Sequence, residues 1–407
     1  MFDFRLRIPS WHRLHSFLGL GASLFFTFLF LTGTLLVFAP ELDWLRYSEV
    51  RASPQGSAKL SLGTIYDAAA RARPDWDIVA LDRSEGARFA DQVTGIRPEG
   101  RDAFIWVDPY TGQVNGETSS FTIHAALLRL HEALFIPGNQ GKLVVTFFGI
   151  PLTATVIAGL FLYRRFWTGF FRWPRFSSRS RAWLSDLHRL IAVWSLVFFV
   201  PLVVTSLWYF VETVGLDAPA TPANRTVTRD RLLPPDFDGA RLDAASAIAT
   251  ATLPGLEVRK VILPRRPAQP IVFQGDHTAV LVRPRANSVY FHPETLEVLG
   301  AHRGEDLSLH QRIAEAADPI HFGTWGGLPT RILWGLFGVG LSALTIIGMI
   351  IHAKRVGIIQ QKTTGAPARS GFARVWRGMG PWGLGGWISL GLVVTGLALL
   401  TRNFLGA

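Results

Sequence analysis

The sequence predicts an α-helical membrane bundle, four core spans in a tandem duplication plus a fifth C-terminal span, with two α+β domains carried between the spans. Three observations lead there. The 407 residues are 49% apolar with a positive mean hydropathy, unusual for a soluble chain of this length. Five windows approach the ~20 apolar residues that a hydrocarbon core of about 30 Å requires. The first part of the chain also returns, in order, in the second.

The elements follow in sequence. Segment 1–40 holds the first window, Phe17–Phe38, preceded by Arg5, Arg7 and Arg13. It is about twice the length of a signal-peptide core and lacks a small-x-small cleavage site, so it is read as an uncleaved anchor. Segment 41–125 opens with an amphipathic helix, Leu62–Ala72, and continues in strands ending at Phe104–Val114. Segment 126–166 carries the second span, Leu143–Leu162, and 167–185 is a basic loop. The third span, Leu190–Phe210, lies in 186–212. Segment 213–318 repeats helix (Leu242–Thr252) and strands ending at Val289–Val298. The fourth span, Ile332–Ile351, lies in 319–353, a second basic loop covers 354–380, and 381–402 holds the Gly-rich fifth span, Trp382–Leu400.

Charge orients these spans. The net charge is +11, but residues 164–181 contain six Arg and no acid, and 352–377 contain six Lys or Arg and no acid, whereas 39–125 and 212–320 are slightly acidic. This is the positive-inside pattern of an inner-membrane protein and not a nucleic-acid surface. The N-terminus and both basic loops are expected in the cytoplasm, and the two long segments and the C-terminus in the periplasm. The absence of cysteine excludes disulfides, thiolate clusters and covalently attached haem.

The repeat is traced residue by residue. Leu14-His15 aligns with Leu187-His188, Phe25-Phe26 with Phe198-Phe199 and Thr32 with Thr205, at a constant offset of 173. After the intervening domains, His131 to Arg165 and His321 to Arg355 are both 34 positions, now at an offset of 190. Each unit is span, domain, span. The fifth span lies outside it.

Leu14-His15 with Gly19, Leu130-His131, and Ile320-His321-Phe322-Gly323 followed by Gly326-Gly327-Leu328-Pro329 together resemble the PepSY-associated transmembrane family. The two periplasmic segments resemble PepSY domains, the first with Asp-Pro-x-Thr-Gly-x-Val at Asp108–Val114. The second copy departs from the pattern, with Ala192 in place of Gly19 and His292-Pro-Glu-Thr-Leu at the hairpin. The resemblance covers roughly residues 10–360 and implies a haem-containing inner-membrane reductase, a family that includes periplasmic ferric-siderophore reductases.

Histidine within a span is costly unless its nitrogen lone pair goes to a metal, and two imidazoles make a six-coordinate haem iron suited to electron transfer. The repeat selects His15 with His188 and His131 with His321, one pair toward each face. The expectation is two non-covalent b-type haems per chain, with these four residues as axial ligands to iron. Two centres suit a path that one haem cannot bridge. His12, three residues before His15, is an alternative ligand, and His124, His310 and His352 are second candidates or surface groups. His277, His292 and His302 are expected at the surface. Arg13, Arg189 and Arg331 are read either as haem propionate partners or as lipid-facing cations.

No dinucleotide fingerprint, P-loop, zinc-protease motif or nucleophile elbow is present, so electrons must come from quinol, a flavin or a reductase partner. The activity that the resemblance implies is reduction of a ferric chelate, a ferric siderophore, at the periplasmic face. Two other classes stay open: a haem-free PepSY binding or regulatory module, and a permease lined by intramembrane polar groups.

Overall fold

Apolar segments of bilayer length fold as helices because lipid offers the backbone no other hydrogen-bond partner. In the computed structural model, which describes residues 11–54, 56, 58–175, 181–219, 233–364, 376 and 383–405, the helices are α1 (Trp11–Gly21), α2 (Ser23–Val37), α3 (Ala39–Arg46), α4 (Leu62–Ala72), α5 (Ile123–Ala133), α6 (Gln140–Phe147) and α7 (Gly149–Leu162) in the first half. The second half has α8 (Arg181–Trp194), α9 (Leu196–Thr213), α10 (Gly239–Thr252), α11 (Leu309–Phe322), α12 (Gly327–Thr364) and α13 (Gly383–Leu405). The chain forms two compact units, one of residues 1–38, 126–217 and 320–407, the other of 39–125 and 218–319.

The first unit is helical. Gln140–Leu162, Leu196–Thr213, Gly327–Val356 and Gly383–Asn403 are each long and apolar enough to cross a membrane, and α1 with α2 makes a fifth if counted as one span bent by 61°. Gly21 and Ser23 flank that bend, where Ser23 Oγ turns back to the Leu20 carbonyl at 2.9 Å. Small residues let the helices approach closely, as apolar side chains alone give no preference for helix over lipid: Gly21 lies against Gly385, and Ser389 Oγ of α13 donates to the Gly21 carbonyl at 2.7 Å. Phe26, Leu152, Phe198, Phe199, Leu341 and Leu344 form the buried apolar centre. Trp382, the start of the expected fifth span, lies outside the described residues, as do 176–180 of the first basic loop and most of the second.

The second unit is a single antiparallel sheet of eight strands in the order β4-β3-β2-β1-β5-β6-β7-β8. The strands are β1 (Asp77–Asp82), β2 (Asp91–Ile96), β3 (Asp102–Val107), β4 (Val114–Ser119), β5 (Glu257–Ile262), β6 (Ile271–Asp276), β7 (Ser288–Phe291) and β8 (Val298–His302). The segments expected as one domain each are joined here, because the free edge of β1 pairs with β5 through Leu81 and Val261. Pairing two edges removes both from solvent. The apolar faces of α4 and α10 pack with the sheet in one core that includes Ile65, Ala69, Leu81, Leu242, Val261 and Phe273.

The β3–β4 and β7–β8 hairpins show how different residues make the same turn. Asp108 Oδ1 accepts the N–H of Tyr110 at 2.8 Å and of Thr111 at 3.3 Å, and Gly112 supplies the left-handed residue with φ +72°. In the second hairpin His292 Nδ1 accepts from Glu294 at 3.2 Å and Thr295 at 3.3 Å, and Leu296 takes the left-handed position at φ +57°. His292 therefore serves a turn.

Candidate metal centre: two pairs of histidines

The helical unit brings all four selected histidines together in two pairs. His15 on α1 faces His188 on α8 with ring centroids 6.5 Å apart and planes nearly perpendicular. His131 on α5 faces His321 on α11 at 6.4 Å, tilted by 53°. With a metal–nitrogen bond of about 2 Å and roughly 1.1 Å more to the ring centre, two trans imidazoles on one metal would have centroids about 6 Å apart. Both gaps match that spacing.

The second ring nitrogen of a metal-bound histidine is normally held by a neighbour, which fixes the tautomer and aims the first. His15 Nδ1 lies 3.0 Å from the Thr155 carbonyl of α7. Thr32 Oγ1 lies 3.0 Å from His131 Nδ1, and Thr205 Oγ1 lies 2.9 Å from His321 Nδ1. The Nδ1 of His188 is buried toward the Leu344 carbonyl but makes no hydrogen bond of normal geometry. In the first three rings Nδ1 is engaged and Nε2 is the nitrogen left without a protein hydrogen bond among the described residues.

Glycines on facing helices seat three of the rings. A Cβ built on Gly33 of α2 would come within 3.0 Å of His131 Cε1, on Gly348 of α12 within 3.4 Å of His188 Cε1, and on Gly159 of α7 within 3.5 Å of His15 Cε1. The Gly33 contact is the tight one. An apolar cavity of about 460 Å³, counting the part open to the surroundings, adjoins the second pair and is lined by Leu29, Phe198, Leu202, Trp334 and Leu341 as well as His131 and His321. Tyr209 and Phe322 stand edge-on to His321 at 5.2 and 5.6 Å.

Seventeen positions separate His15 from Thr32 and, equally, His188 from Thr205. At 1.5 Å per residue that is about 25 Å of helix, less where α1 and α2 bend. The pairs thus lie toward opposite ends of the spans, with the Phe26–Phe198 apolar cluster between them along the helices.

The alternative histidines sit elsewhere. His12 Nε2 is 3.3 Å from Arg355. His352 Nε2 is buried and has no hydrogen-bond partner among the described residues. His124 and His310 belong to the sheet unit, where the His124 backbone N–H donates to Asp43 at 3.3 Å. Of the arginines, Arg189 pairs with Asp186, and Arg331 donates to the Val37 carbonyl at 2.6 and 3.0 Å, closing the end of α2. Reading the sequence alone noted Thr32 and Thr205 only as register markers, and missed Gly33, Thr155, Gly159 and Gly348.

Among the described residues no three His, Cys, Asp or Glu side chains converge as a free metal ion would require. A pair of imidazoles suits a metal whose remaining ligands arrive with it, as iron does in a porphyrin.

The model of the PepSY-associated TM region matches residues 12–355, which includes both histidine pairs and ends before α13. This chain belongs to that family. It is also similar to the Pseudomonas aeruginosa protein named Uncharacterized protein PA4219, 41% identical over 70 residues, or 17% of each chain. The match therefore spans less than a fifth of that relative. Family membership and the apolar helices agree on a multi-pass membrane protein that carries a β-sheet unit.

Proposed function

We propose that this protein is a transmembrane di-haem oxidoreductase that passes electrons across the inner membrane and reduces a periplasmic ferric chelate, a ferric siderophore, so that iron is released. The observation that carries the reading is the pairing itself: two sets of opposed imidazoles, spaced for one metal each, with Nδ1 of three rings turned to a partner. The two histidines of each pair would hold a haem, which would supply one-electron chemistry there.

His15 and His188 would hold the haem nearer the cytoplasm, and His131 and His321 the haem nearer the periplasm. The basic segments 164–181 and 352–377 favour this orientation, with the sheet unit outside. The spans themselves exclude bulk water from around each pair. The donor is quinol, a flavin or a partner reductase. Reduction loosens the chelate because Fe(II) carries less charge for hard oxygen ligands.

We also read the chain as a tandem duplication with PepSY-like domains. Supporting this, each half of the sheet unit runs helix then four antiparallel strands, and Thr32 and Thr205, equivalent at the 173 offset, contact the equivalent His131 and His321.

Reduction of the purified protein with dithionite, removal of the excess, and anaerobic addition of a ferric trihydroxamate or ferric citrate tests the reading. Reoxidation of the visible bands, with Fe(II) captured by a colorimetric chelator in matching amount, is the expected result. Bands that stay reduced with every ferric chelate would remove the proposed substrate class.

A further inference from the structure

We infer that Thr32 and Thr205 are positioning residues for the second pair, selecting the tautomer of His131 and His321 and, resting on the haem reading above, setting the reduction potential of that centre alone.

The argument starts from proton counting. A threonine hydroxyl has one hydrogen to give, and a main-chain carbonyl can only accept. Thr32 Oγ1 lies 2.9 Å from the Phe28 carbonyl one turn back, and Thr205 Oγ1 lies 2.8 Å from that of Pro201. Each hydroxyl hydrogen therefore goes to its own helix. The oxygen is left as an acceptor, so the contacts at 3.0 and 2.9 Å need a hydrogen on His131 Nδ1 and on His321 Nδ1. The lone pair of each ring is then on Nε2.

Donation to a carbonyl polarises the hydroxyl and makes its oxygen a better acceptor. A stronger acceptor at Nδ1–H makes the imidazole a more basic ligand, which favours the oxidised metal. The first pair is held differently. His15 gives its Nδ1–H to the main-chain carbonyl of Thr155, which no side-chain substitution removes, and His188 Nδ1 is turned toward the main-chain carbonyl of Leu344. Side-chain control is thus confined to the second pair, shared at His131 with the main-chain carbonyl of Leu29.

The test is a potentiometric titration of the visible bands of the purified holoprotein, comparing wild type with Thr32→Val, Thr205→Val, Thr32→Ser and Thr205→Ser. Valine keeps the shape and removes the acceptor; serine keeps the acceptor. The expected result is an upward shift of one of two midpoints in each valine variant, or selective loss of that one centre, the other midpoint unmoved, and a wild-type value in each serine variant. Loss of acceptors near a ligand typically lowers metal affinity by about 10–100-fold, so haem content is read in parallel. Valine variants with both centres and both midpoints unchanged overturn the inference, as does equal loss in the valine and serine variants. A wild-type protein with no haem bands overturns the haem reading itself, which is a distinct result.

Discussion

Asp67 on α4 accepts the backbone N–H of Gly239 at the start of α10 at 2.7 Å, and Asp243 on α10 accepts that of Gly63 at the start of α4 at 2.8 Å. Each helix thus satisfies one of the other's orphan amino-terminal donors and places a carboxylate at the positive end of its dipole. The glycines make this possible: a Cβ on either would overlap the other's carbonyl oxygen. We expect Asp67→Ala and Asp243→Ala each to cost about 1 kcal/mol, as for other lost caps. Gly63→Ala should cost more, since backbone must move. Thermal melts of the purified full chain check the order, which reverses if the glycines only save space.

The tight seat of His131 gives a second prediction. At Gly33 an alanine methyl would come within 3.0 Å of the ring, against 3.4 and 3.5 Å at Gly348 and Gly159. Gly33→Ala should therefore displace His131 and reduce the occupancy of the second centre, while Gly348→Ala and Gly159→Ala leave haem content near wild type. Equal retention in all three variants would show the Gly33 contact to be relieved elsewhere.

The pairing gives a third. Replacing His131 or His321 by Ala should remove about half of the haem, and replacing His15 or His188 the other half, because the proposal gives each centre its own two ligands. Spectra and haem-to-protein ratios of the four variants check this. Loss of all haem from a single substitution would argue against two independent centres.

Acid sensitivity of the sheet unit gives a fourth. Burial pushes the Glu315 carboxyl up, but the hydrogen bonds and charges of Arg283 and Arg285, at 2.8 and 2.9 Å, outweigh it and hold the group below the usual glutamate range. A carboxyl depressed in the folded state contributes stability above its unfolded value of ~4.3, and that contribution is lost as pH falls through the lower folded value. Melting temperature should accordingly drop on acidification below about pH 4. Glu315→Gln should flatten that part of the profile and, since Arg283 keeps its ion pair with Asp318 at 2.7 Å, cost about 1 kcal/mol at neutral pH. A profile unchanged by the substitution would assign the acid sensitivity to other groups.

Much of the helical unit was legible because hydrophobic length is a local property: the windows from Phe17, Leu143, Leu190 and Ile332 all fall in helices. The four histidines were legible because the repeat carries them at fixed offsets. Thr32 and Thr205 stood in the same alignment, but a threonine in an apolar helix ordinarily bonds its own preceding turn, so only the three-dimensional contact exposes its second role. Gly33 and Gly348 act across a helix interface, which no local pattern encodes. The shared sheet depends on Leu81 meeting Val261, residues far apart in sequence, with no local signal for the pairing. The Gly63–Asp243 and Gly239–Asp67 contacts join positions equivalent at an offset of 176, unlike the 173 and 190 of the spans, and so escaped a register traced through the membrane segments.

The central claim is that the two histidine pairs each hold a haem. The most direct measurement is the visible spectrum of the purified full chain from haem-replete cells, oxidised and then dithionite-reduced, with haem quantified against protein. Two haems per chain with the sharp reduced bands of bis-histidine ligation is the predicted result. A colourless preparation, or a single haem that survives loss of either pair, would contradict it.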